Sequence, residues 1–125
     1  MKKQSGLLRR LTALALALCM LAALTAEIFA ADTVASGYCG SEGDGKNLTW
    51  TLDSEGVLTI SGLGKMKDYE NDNKNRAPWY SSRKSLKKLV LKSGITSIGD
   101  YAFFDCSNLT GDLKIPSNVH SIGEN

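Results

Sequence analysis

From Asn47 onward the chain alternates apolar and polar positions. Leu48, Trp50 and Leu52 are interleaved with Thr49 and Thr51, and Leu58 and Ile60 with Thr59 and Ser61. A period of two with β-branched partners predicts half-buried strands. Asp53 to Gly56, "DSEG", supplies the turn between them, with Gly56 able to take a positive φ, so the pair reads as a β-hairpin. The stretch "GLGKMKDYENDNKNR" is polar and reads as a mobile loop. "APWYSSRKSLKK" predicts a short helix or turn that Pro78 starts, and "KLVL" at 88 to 91 a short strand.

The pattern then repeats. Ile95, Ser97, Ile98 and Gly99 correspond to Val119, Ser121, Ile122 and Gly123, a spacing of 24 residues (119 − 95). The same spacing carries Leu89 to Leu113 and Leu91 to Ile115, and Asp100 meets Glu124 in charge. A period in the twenties with one short strand per period predicts stacked leucine-rich coils, none of which can bury its apolar face alone.

The phrase "SIGDYAFFDCSNLTGDLKIPSNVHSIG" resembles the cysteine-containing leucine-rich repeats of BspA-like bacterial surface proteins. The resemblance rests on Ile95, Ile98-Gly99, Ala102-Phe103, Cys106, Leu109 and Leu113 to Ile115-Pro116, with Gly111 or Asp112 as a one-residue insertion that would bulge the coil. "SGYCG", the hairpin and "APWY" are similar to the segment before the first repeat of such proteins, so the resemblance covers residues 36 to 125. It implies a mainly β chain: a β-hairpin N-terminal cap leading into a leucine-rich-repeat solenoid, truncated after about one and a half coils. It also implies an exported, non-catalytic protein whose sheet binds protein or polysaccharide on host or neighbouring cells. On that reading Lys88, Val90, Lys92, Asp112 and Lys114 flank the strand faces, and Lys88, Val90, Lys92 and Lys114 are the candidate ligand-binding residues. The rival reading is a targeting module of a larger exported enzyme whose catalytic domain lies beyond residue 125.

The N-terminus supports export. Lys2, Lys3, Arg9 and Arg10 precede an uncharged run from Leu11 to Leu24, and "TAEIFAA" then offers small residues for cleavage, with the cut placed after Ala30. Fourteen residues (11 to 24) fall short of the roughly 20 needed to span a bilayer. Cys19 reads as part of the apolar run rather than as a lipid-modified residue, since Leu18 precedes it. The organisation expected is therefore 1–30 signal peptide, 31–47 flexible lead-in, 48–84 hairpin cap with loop and short helix, and 85–125 first repeat and start of the second. The formal net charge of +2 depends on the signal. Without it, 11 basic residues face 12 acidic ones, which gives no argument for nucleic acid as a partner, and no membrane span remains.

Candidate chemistry is sparse. His120 has no second histidine or reactive cysteine near it in sequence, so it reads as a surface side chain rather than a base. Cys39 and Cys106 lack the paired spacing of a zinc site. Export permits a disulfide between them, and a buried thiol explains Cys106 equally well. "SEGDGKN" and "DYENDNKNR" lack the ligand order of a calcium loop. Arg83, Lys84, Lys87, Lys88 and Lys92 form a basic stretch that reads as a solvated face or as a contact for anions. Trp50 is expected in the core, and of Trp79 and Tyr80 only one can point fully inward. The sequons at Asn47 and Asn108 carry no weight in a bacterial protein, which is what the resemblance implies, and no cofactor or metal is implied.

Overall fold

The computed structural model describes residues 31–125, and the segment read as a signal peptide, with Cys19, lies outside the described residues. Seven strands follow in chain order: β1 Thr33–Tyr38, β2 Leu48–Asp53, β3 Val57–Gly62, β4 Gly64–Lys65, β5 Lys88–Leu91, β6 Ile95–Ile98 and β7 Ser121–Ile122. A single 3-10 turn spans Tyr80–Ser82. The chain is mainly β, as the alternation predicts.

The hairpin forms where the sequence places it. β2 and β3 pair antiparallel, with Trp50 opposite Ile60 and Leu52 opposite Leu58. The Asp53 carboxylate accepts the N–H groups of Glu55 (2.9 Å) and Val57 (3.0 Å), which folds the turn back on itself. Gly56 takes a φ of 82°, and a Cβ there would also run into the Ser85 carbonyl. Glycine is thus required twice over.

β3 has a second role. Its free edge pairs in parallel with β5, Leu58 meeting Leu89 and Ile60 meeting Leu91. After a corner at residues 62 to 64 the chain enters β4, which pairs in parallel with β6, and β6 pairs in parallel with β7. The hairpin's outer strand and β4 therefore act as the zeroth rung of two parallel ladders that the repeat continues. From the zeroth to the first rung the spacing is 31 residues (Leu58 to Leu89), and from the first to the second it is 24 (Ser97 to Ser121). Residues 70–75 take up most of the difference as a pinched-off excursion. It is closed by the Glu70 N–H on the Asn75 carbonyl (2.9 Å), and the Asp72 carboxylate holds the N–H groups of Lys74 and Asn75.

Three expectations need correction. Residues 31–47 are not a flexible lead-in throughout: β1 adds to β2 as an antiparallel edge strand, and Cys39 behind it is buried. The loop expected from residue 62 is ordered at its start, since β4 joins a sheet and Met66 and Tyr69 enter the core. Leu113 to Pro116 do not form the expected strand. Thr110 donates to the Lys87 carbonyl (2.9 Å), but Gly111 then takes a φ of 81° and turns the backbone off the ladder. The extra residue thus does more than bulge the coil: the strand after it is not formed.

The core runs from the hairpin through the first repeat. Leu48, Leu58, Ile60, Leu86 and Ile95 are fully shielded. Trp79 joins the parts. Its ring meets Trp50 and Tyr69 edge-on at 5.8 and 6.0 Å and stacks on Phe103 at 5.7 Å, and its indole N–H donates to the Ala102 carbonyl at 2.7 Å. Burying one tryptophan removes about 150–250 Å² from water, about 4–6 kcal/mol at 25 cal/mol per Å².

Candidate functional site

Alternation along β5 puts Leu89 and Leu91 into the core and leaves Lys88, Val90 and Lys92 on the opposite face. Register carries that face across the sheet. Val90 lies beside Thr59, Thr59 beside Thr51, and Thr51 beside Ser36. The Thr49 and Ser61 hydroxyls meet at 3.1 Å in the neighbouring row. The face is thus hydroxyl-bearing over the cap and cationic where the repeat begins. Lys114, one period beyond Val90, lines a small depression with Leu91, Ser93 and Pro116, while Lys88, Val90 and Lys92 lie on the face of β5 opposite Leu91.

The basic stretch divides. Arg83 and Lys84 are both held by Asp105 at 3.0 Å, whose carboxyl lies below the usual carboxylate range because these two side chains hydrogen-bond it. Lys88, Lys92 and Lys114 make no ion pair among the described residues. Their charge remains open to a partner.

The repeat positions grade from core to surface. Ile95, Ile98, Gly99 and Ala102 are buried, and Phe103, Cys106 and Leu109 pack partly buried against the core. Ile115 is 45% exposed, with Leu113 and Ile122 similarly open, because no further rung covers them among the described residues. Pro116 is half-buried.

The residues weighed for chemistry go elsewhere. His120 is exposed, and its backbone N–H donates to the Thr96 carbonyl at 3.0 Å. Cys39 and Cys106 are free thiols, so the permitted disulfide between them is not formed. Burial pushes Cys39 up to about 12, and burial followed by the Asp105 charge pushes Cys106 up to about 11. Neither is poised as a nucleophile. The sequon residues are structural: the Asn47 amide donates to the Leu63 and Lys65 carbonyls at 3.0 Å, and Asn108 donates to the Lys84 carbonyl.

A device joining the rungs escapes a sequence reading. The Asp68 carboxylate accepts the Asp100 N–H at 3.0 Å, and the Asp100 carboxylate accepts the Glu124 N–H at 2.9 Å. One acid per rung clips the rung after it. The charge match of Asp100 with Glu124 is its sequence signal, while Asp68 stands at the longer spacing and gives none.

Residues 77–125 match the family model described as "BspA type Leucine rich repeat region (6 copies)". A crystal structure of a leucine-rich repeat protein from Eubacterium ventriosum ATCC 27560 is similar at 40% identity, with a TM-score of 0.59. The similarity covers 72% of this chain and 23% of that one, so the chain spans under a quarter of the length of the relative it matches. Among curated proteins, none matches. Within the described residues no helix is long and apolar enough to cross a membrane.

Proposed function

We propose that this chain, a BspA-type leucine-rich-repeat protein over residues 77–125, is exported and serves without catalysis as the capped start of a surface that binds protein or polysaccharide on host or neighbouring cells. The observation that carries the reading is the strand face. Lys88, Val90 and Lys92 share one face along and just past β5, Lys114 follows one period after Val90, and none of the three lysines is neutralised among the described residues. Parallel rungs add further rows to such a face, so affinity grows with the number of coils. The raised thiols and the lone exposed histidine favour recognition over group transfer. A basic head followed by an uncharged run favours export.

The test is binding of the full chain to immobilised matrix proteins and to acidic and neutral polysaccharides, at low and high salt. The triple variant Lys88→Gln, Lys92→Gln, Lys114→Gln is expected to bind at least about tenfold more weakly, with the deficit shrinking as salt screens the charges. Equal binding by parent and variant on every surface would dismiss this face as the contact.

A further inference from the structure

At the far side of β1 from the hairpin turn lies a cleft of about 290 Å³, lined by Tyr38, Asp44, Lys67, Tyr69 and Arg76 among others. Arg76 is its unusual member. The guanidinium lies on the Tyr80 ring, Cζ 4.1 Å from the centroid, and Arg83 lies at the same distance from that ring. Asp105 neutralises Arg83, but no carboxylate pairs with Arg76 among the described residues. Its acidic neighbours are already engaged: Glu70 and Asp72 both accept from the Asn75 amide. The Arg76 Nε–H is shielded from solvent and finds no acceptor, and its other polar contact is one long bond to the Asn71 side-chain oxygen at 3.4 Å. A half-buried guanidinium with its fork unfilled is costly to hold unless something meets it.

We propose that this cleft binds a carboxylate-bearing sugar, the acid seated on Arg76 and Lys67. Charge selects the acid. Two cations line the cleft against one acid, Asp44, which already faces Lys46 at 3.7 Å. The Arg76 guanidinium lines the cleft and pairs with no carboxylate among the described residues, and its planar N–H donors suit a carboxylate. Size and surface select the sugar. The volume sits at the low end for small-molecule sites, about 300 Å³ and upward, which gives room for one ring and not for a peptide element. The exposed Tyr38 ring, over which the Lys46 ammonium lies at 5.7 Å, offers its other face to sugar C–H groups, and Asp44 offers an acceptor for hydroxyls. The cleft is separate from the lysines of β5 and stands independently of the function proposed for them.

Calorimetric titration of the full chain with D-glucuronate, D-glucose and inorganic sulfate tests this. Saturable glucuronate binding is expected, with glucose silent and sulfate at least about tenfold weaker. Arg76→Gln and Lys67→Gln should each weaken glucuronate about tenfold, the worth of one charged hydrogen bond, and Tyr38→Ser several-fold. Lys67 and Tyr38 are exposed, so their variants keep the test decisive if Arg76→Gln fails to fold. Binding of a methyl glucuronide and of an oligoglucuronate would identify the end of a glycan, and binding of the free monosaccharide alone a small metabolite; both keep the acid-sugar assignment. Absent glucuronate binding, sulfate as strong as glucuronate, or full affinity in the Arg76 and Lys67 variants would overturn it. The lysine-face variant should titrate like the parent. Were that variant alone to lose glucuronate, the cleft assignment would fail while the strand-face reading survived.

Discussion

Trp79 carries more of the fold than any neighbour of its size, because three segments distant in sequence converge on it: Trp50 from the hairpin, Tyr69 from the loop and Phe103 from the repeat. Trp79→Ala should cost about 3–5 kcal/mol, read from the urea midpoint. Trp79→Phe should cost less, since it keeps the ring contacts and loses the bond to the Ala102 carbonyl. Asp105 governs a different variable. Its hydrogen bonds to Lys84 and Arg83 lower its folded pKa, so its contribution is present above the ordinary carboxylate value, about 3.9, and is lost as pH falls through the folded value. Asp105→Asn should therefore make the acid-side fall in stability shallower in denaturant melts between pH 5 and 2. Some slope should remain, because Asp72 is lowered in the same direction by the Asn75 and Lys74 N–H groups. Core residues were readable from their pattern here: Trp50 and the leucines of β2, β3 and β5 alternate with polar partners and are buried accordingly. Arg76 was not, since its setting depends on Tyr38 and Tyr80, one remote in sequence and the other a turn away.

At the level of elements, what alternates or repeats was legible and what pairs by backbone alone was not. The hairpin and the 24-residue spacing of β6 and β7 follow from side chains. β1 presents small, mostly exposed residues whose pairing rests on main-chain hydrogen bonds, so its sequence resembles a linker. β4 has two residues, too few for any period to show, and the 31-residue step hides it from a search at 24. The excursion at 70–75 explains that step, and it bonds chiefly to itself. Replacing Asn71 to Lys74 with Asn-Gly, a two-residue turn that suits its closed ends, should leave the thermal midpoint within a few degrees of the parent. A fall beyond about 10 °C would show that the excursion supports the ladders rather than interrupting them.

Across the whole molecule the two ends of the ladders differ. At the start, β1 and β2 cover the edge of β3 away from the repeat, and at the other end Leu113, Ile115 and Ile122 are open to water. Appending a further copy of residues 102–125, which continues the 24-residue register from Asn125, should bury them and raise both the denaturant slope and the midpoint, because each added coil hides apolar area on the last. An unchanged slope would mean that the added copy hangs free. β3 has a bearing on time as well as on stability. It belongs to a local hairpin that can close in microseconds, and it then offers a ready edge to the first strand of the repeat. A chain made from its N-terminus therefore completes its template before the segment that copies it has emerged. Each later turn meets a finished surface and never waits beside an unfinished one. The order of synthesis becomes the order of assembly, and the slow search that parallel strands otherwise face is reduced to the length of one turn.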